Sequence, residues 1–96
     1  MHTAKVEVLT MRTENLIHPG EILREEFMKP KDITVNQLAA DLQMPEERLD
    51  EIIHERYDIN ADTAHLLGTC FGTGSAFWRN LQINYDNALK ERDQLS

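Results

Sequence analysis

Residues 34–53, Thr-Val-Asn-Gln-Leu-Ala-Ala-Asp-Leu-Gln-Met-Pro-Glu-Glu-Arg-Leu-Asp-Glu-Ile-Ile, read as a short helix, a tight break and a second short helix. Thr34 can cap the first helix with its hydroxyl, and Gln37, three residues on, can reach back to it. That is a capping box in its Thr-x-x-Gln form. Leu38, Ala39 and Leu42 then share a face at helical spacing. Pro45 lacks an amide hydrogen and has a preset φ, so it suits the first turn of a new helix rather than the interior of an old one. Leu49, Ile52 and Ile53 give that helix its apolar side. Helices this short cannot stand alone, so they must brace each other inside a larger helical domain. The pattern is that of a helix-turn-helix, whose second helix enters a DNA major groove.

Upstream, His18-Pro19-Gly20-Glu21 opens the domain. Pro19 suits a first helical position, and Glu21, Glu25 and Glu26 place acid near the positive end of the helix. Ile22, Leu23 and Phe27 form its inward stripe. Lys29-Pro30-Lys31-Asp32 is expected to stop it, because the residue before a proline avoids the α region. Ile33 precedes Thr34 as a hydrophobic staple would. Residues 1–16 are assigned to a flexible arm. Ala4, Val6 and Val8 alternate there with Lys5 and Glu7, which also allows a short edge strand, and Met11 offers an alternative start.

Downstream, residues 54–59 form a loop. Asn60 is the expected N-cap of a helix from Ala61 to Phe71 with Ala64, Leu67 and Phe71 inward. Gly68 lies within it and permits close approach of a neighbour. Gly72-Thr73-Gly74 breaks the chain, and Ser75 is expected to cap a last helix bearing Phe77, Trp78, Leu81, Tyr85 and Leu89. Charge dominates its tail from Lys90 to Asp93. The sum is an all-α domain of five helices over residues 17–96.

Length and composition agree with one small globular domain: 96 residues, 41% hydrophobic and 28% charged. Lys5 and Glu7 interrupt any secretory h-region, no apolar run nears the roughly 20 residues of a membrane helix, and Cys70 is alone. A cytoplasmic protein without disulfides is expected. The formal net charge of −7 runs against the basic surface usual in a duplex binder, so the position of the acids matters.

Four segments occur in an order that resembles the HigA/VapI-type antitoxins, members of the Xre-like (lambda-repressor-like) helix-turn-helix superfamily. They are His18-Pro19-Gly20-Glu21-Ile22-Leu23, the residue 34–53 stretch, Asp62-Thr63-Ala64-His65-Leu66-Leu67, and Phe71-Gly72 followed by Phe77-Trp78-Arg79-Asn80-Leu81-Gln82, with Tyr85-Asp86 beyond. The likeness spans about residues 17–86. It implies a five-helix lambda-repressor-like DNA-binding domain and a cytoplasmic bacterial protein, usually a homodimer. It further implies binding to operator DNA in its own promoter, repression of that operon, and neutralisation of a cognate ribonuclease-type toxin.

By alignment with the superfamily, the base-facing positions are Glu46, Glu47, Arg48 and Glu51. Arg48, His54 and Arg56 are candidate phosphate contacts, as are Asn36 and Gln37. The chain departs from its relatives here. Residues 43–59 hold Glu46, Glu47, Asp50, Glu51, Glu55 and Asp58 against Arg48 and Arg56 alone, a local balance of −4. A carboxylate can accept from a cytosine amino group, yet several of them facing a polyanion meet repulsion and desolvation. An alternative follows: a protein-interaction adaptor of the same fold with weak or absent DNA binding, its acidic face turned to a basic partner. For Glu46, Glu47, Asp50 and Glu51 a solvated acidic helix start, stabilised by the macrodipole, is the alternative to a functional role. Glu55 also stands where relatives often have glycine.

Phe77, Trp78, Leu81 and Tyr85 form a stripe assigned to the core, with part at a dimer interface. Catalysis finds little support. His2, His18, His54 and His65 share no metal-ligand spacing, and His54-Glu55 lacks a zincin's second histidine because Asp58 stands there. Cys70 is expected on the inner side of its helix as an inert thiol. No catalytic residue, metal or cofactor is assigned.

Overall fold

The computed structural model describes residues 16–95. The arm assigned to residues 1–16 thus lies outside the described residues, Leu16 excepted. The described chain forms five helices and no strand: α1 (residues 19–31), α2 (Val35–Leu42), α3 (Glu46–Ile53), α4 (Ala61–Phe71) and α5 (Ser75–Leu95). None is long and apolar enough to cross a membrane.

Helix α1 begins as expected at Pro19, with His18 as N-cap: the Gly20 amide donates to His18 Nδ1 at 2.9 Å. It does not stop before Pro30. After Pro19–Ile22 the winding widens to a π-type helix over Leu23–Met28 and tightens to a 3₁₀ turn at Lys29–Lys31. Lys29 stays right-handed at φ −61°, ψ −47°, with its amide reaching back to the Arg24 carbonyl. A regular α-turn would drive the Pro30 ring against the carbonyl four residues back. The wider winding ahead of it removes that clash, so the helix carries the proline rather than ending at it. Asp32, left-handed at φ 55°, closes it.

The α2–α3 pair is as the sequence predicts. Leu38, Leu42, Leu49 and Ile52 are all 2% exposed or less, each burial worth about 1.5–3 kcal/mol. For two eight-residue helices that packing, rather than propensity, decides stability. The turn between them closes on Gln43 in the left-handed region, where the Gln43 amide donates to the Ala40 carbonyl and the Met44 amide to the Ala39 carbonyl. This is the paired closure of a Schellman motif. Pro45 sits one place earlier than expected, as N-cap of α3 at φ −59°, ψ 136°. A proline caps poorly but leaves no amide unpaired.

Helix α4 packs against α2, and α5 packs against α4 and α1. Asn60 caps α4 through its Oδ1 at 2.8 Å from the Thr63 amide. Ser75 is the first residue of α5 and not its cap, a one-residue correction. Gly68 does permit close approach: a Cβ there would lie 2.3 Å from the Gly74 carbonyl carbon. Gly20 makes the same kind of contact with α3, where a Cβ would fall 1.8 Å from the Ile52 oxygen. Trp78 is wholly buried and is ringed by Phe27, Phe71 and Phe77 at centroid distances of 5.0–6.4 Å.

Candidate nucleic-acid interface

The interface is built from the first turn of α2, the outer side of α3 and the turn after it. Thr34 and Gln37 complete the capping box, with the Gln37 amide donating to Thr34 Oγ1 at 3.1 Å and the Thr34 amide to Gln37 Oε1 at 3.0 Å. Gln37 Oε1 is thereby occupied, leaving its amide N–H groups as donors. Asn36 lies beside it, exposed.

Leu49, Ile52 and Ile53 bury the inner side of α3. At 3.6 residues per turn, Glu47 and Glu51 then face directly outward, flanked by Arg48 and Asp50. The orientation is fixed from behind. Gly20 touches the Ile52 carbonyl, and the Arg24 guanidinium donates to the Ile53 carbonyl. A cation at that helix end also favours the macrodipole. Arg24 is hydrogen-bonded to Glu25, which with Glu55 raises the guanidinium pKa against the opposing effect of burial.

Asn36, Gln37, Glu46, Glu47, Arg48, Glu51, His54 and Arg56 are all exposed. The arginines among them do not stand apart from the acids: Arg48 Nε lies 3.6 Å from Glu51 and Arg56 Nη2 4.0 Å from Asp50. His54 Nδ1 lies 2.8 Å from the Asp50 backbone carbonyl and 3.4 Å from its carboxylate. Sequence reasoning missed Tyr57. Its ring lies 3.9 Å from the Arg48 guanidinium carbon, a stack that the nine-residue separation on a loop does not advertise. Glu55, in the glycine-like position, adopts the left-handed turn anyway at φ 64°.

Behind the interface, the family-like motifs acquire roles. His18 is 1% exposed. Because its Nδ1 accepts from Gly20, the ring proton resides on Nε2 and points to Asp58 Oδ1 at 3.4 Å. Tyr85 meets the ring edge-on at 4.8 Å. Gln82 is buried and accepts the Ile59 amide at 2.8 Å while donating to Asp86 at 3.0 Å. The loop after α3 is thus pinned to α1 and α5.

Two expectations need correction. Trp78 is buried inside the single chain and has no surface to offer a second copy. Of its stripe, Phe77 is exposed while Leu81 and Tyr85 are half-buried. The latter two line a groove of about 440 Å³ with Ile17, Ile22 and Ala88. Cys70 is exposed, not inward. What desolvation it has, helped by Asp41, pushes its thiol pKa up and disfavours the reactive thiolate.

No family model matches the chain. Among curated proteins, Virulence-associated protein I of Dichelobacter nodosus is 44% identical over 80 residues, which is 83% of this chain and 74% of the relative. The chain belongs to the HigA/VapI-type antitoxin family. Solved structures agree with this family assignment. Pseudomonas aeruginosa antitoxin HigA with the higBA promoter matches with a TM-score of 0.79 at 41% identity, covering 81% of this chain and 85% of the other. A Pseudomonas aeruginosa protein in complex with its 18-base-pair operator DNA gives 0.79 at 42%, covering 80% and 81%. The all-α helix-turn-helix fold of this family and its class, transcriptional regulators rather than enzymes, are therefore those of this HigA/VapI-type chain.

Proposed function

We propose that this HigA/VapI-type chain is a cytoplasmic, homodimeric regulator that binds its own operator through α3 and neutralises a cognate ribonuclease-type toxin. The observation that carries the reading is the outward, rigidly backed α3 beside a capped α2, in a fold shared with proteins solved on promoter and operator DNA. In a dimer two such helices would enter successive major grooves about 34 Å apart. Asn36, Gln37, His54 and Arg56 would contact phosphate, and Glu46, Glu47, Arg48 and Glu51 would face bases.

The acids shape how this binding behaves. Sequence-independent affinity comes from cations that displace counterions, and here each cation lies close to a carboxylate. Non-specific binding is therefore weak, and recognition depends on base contacts. A gel-shift assay on the DNA upstream of its own gene, at two salt concentrations, tests the reading. A specific shift that weakens with salt supports it; no shift at low salt, with and without the toxin, removes operator binding.

The exposed acidic side of α3 favours a second reading, an adaptor of the same fold that binds protein rather than DNA. A toxin that cleaves RNA carries positive charge at its site and would be steered to such a surface. Glu46→Lys with Glu47→Lys should slow toxin association at low salt. Unchanged association kinetics would detach the toxin from this face.

A further inference from the structure

We propose that Tyr57 is a positioning residue for base readout: its ring holds Arg48 so that α3 can select a guanine. The inference rests on the operator-binding reading above. Arg48 is the one cation on α3. Guanine shows two acceptors, O6 and N7, to the major groove, and only a paired donor reads both. The carboxylates beside Arg48 accept but cannot donate. On this helix, guanine is Arg48's to read.

Left to itself, Arg48 would be lost to that task. Glu51 lies one turn away on the same side, and a guanidinium and a carboxylate at that spacing close readily into a two-pronged pair. In the structure they form a loose ion pair and no hydrogen bond: Nε to Oε1 is 3.6 Å, while the guanidinium carbon sits 3.9 Å from the Tyr57 ring centroid. A stack engages the face of the guanidinium and leaves its in-plane N–H donors open. Arg48 also remains 44% exposed. Tyr57 is itself partly fixed, because the next residues are held by His18 and Gln82. The ring thus acts as a rest that keeps the fork from closing into a two-pronged pair with Glu51 and holds it at the interface.

Fluorescence anisotropy with the full chain and labelled DNA from upstream of its own gene tests this. Each guanine in turn is replaced by 7-deazaguanine, which removes N7 and keeps base pairing. In each half-site one guanine should matter, its replacement weakening the wild type roughly five-fold or more. Arg48→Ala should bind more weakly and ignore the replacement, and Arg48→Lys, lacking the planar fork, should not restore sensitivity. Tyr57→Phe should behave as wild type. Tyr57→Leu should lose the sensitivity while melting within a few degrees of wild type, and adding Glu51→Gln should restore part of it. A Tyr57→Leu protein that still distinguishes the two guanines as wild type does overturns the inference. So does an Arg48→Ala protein that remains sensitive at that guanine. Either result leaves operator binding intact, whereas a wild type that does not bind the fragment at low salt ends both readings.

Discussion

The two tight joints of this molecule have similar backbones and different residues. Between α2 and α3 the chain reverses through Gln43 at φ 56°, ψ 43°, and between α4 and α5 through Gly72 at φ 71°, ψ 17°. Left-handed geometry costs a residue with a Cβ roughly 1–2 kcal/mol. The chain accepts that cost three times around the α2–α3 pair, at Asp32, Gln43 and Glu55, and uses glycine at both left-handed positions of the α4–α5 joint, Gly72 and Gly74. Helices α2 and α3 are held to each other by interlocking side chains, which over-determine the turns and let strained residues persist. At the other joint backbone meets backbone: the Gly74 amide donates to the Gly68 carbonyl at 3.2 Å. There is no side chain there to yield.

The largest expected effect follows from that contact. In Gly68→Ala the new methyl would lie 2.3–2.5 Å from the Gly74 carbonyl and the Ser75 nitrogen, all backbone atoms. Overpacking that cannot be relieved by a rotamer change should cost about 3 kcal/mol or more, a large part of the total stability of so small a domain. A thermal melt followed by circular dichroism should show Tm down by upwards of about 12 °C. A fall of only a few degrees would mean that the joint slides, and the contrast drawn above would fail.

The caps sharpen the comparison at smaller scale. Thr34→Ala removes the hydroxyl that accepts from Gln37 and should cost about 1 kcal/mol, some 4–8 °C in Tm. At Gly72 an added methyl would meet nothing within 4 Å, so Gly72→Ala incurs only the backbone penalty and should cost about 1 kcal/mol. Gln43→Gly is the mirror experiment. Relief of left-handed strain exceeds the extra chain entropy of glycine, so stability should rise by up to about 1 kcal/mol. If both substitutions destabilise equally, Gln43 makes a contribution beyond its backbone.

The same contrast explains what the sequence revealed. Helix α2 was legible because Thr34-x-x-Gln37 and the Leu38, Ala39, Leu42 spacing are local signals of one helix, and Asn60 marked α4 for the same reason. The end of α1 falls within the expected Lys29–Asp32 stretch, but at Asp32 and not before Pro30; a proline breaks an α-helix locally, and only the winding of the preceding turns, a cooperative property, accommodates it. Cys70 was misplaced because its helix turns only one narrow face inward, through Ala64, Leu67 and Gly68. The apolar side of α3 could be read from periodicity, whereas Glu46, Glu47, Arg48 and Glu51 came only from the likeness to the superfamily. The Arg48–Tyr57 stack could be read from neither, since it joins a helix to a loop whose path is set by His18 and Gln82 from elsewhere in the chain.

The smallest effect concerns the third left-handed turn, the one supported from outside. Arg24 donates to the Ile53 carbonyl and reaches Glu55 at 3.5 Å, and Glu25 in turn holds Arg24 at 3.0 Å. Lys29, whose ammonium lies 2.9 Å from Glu25, and then Arg24 push the Glu25 carboxyl below the usual carboxylate range. A carboxyl with a depressed folded-state pKa stabilises the fold above its unfolded pKa, and that contribution disappears as pH falls through the folded value. Wild type should therefore melt slightly above Glu25→Gln near neutral pH, and the gap should close in acid below the ordinary carboxylate range. The gap stays small because the group is exposed and solvent screens it. Hydrogen exchange at the Glu55 and Arg56 amides, which close α3 onto Ile52 and Glu51, gives the local reading. Faster exchange there in Glu25→Gln, with the Gln43 and Met44 amides unchanged, is the expected pattern. Equal change at both turns would mean that Arg24 stiffens the whole pair and that the α3 closure has no separate support.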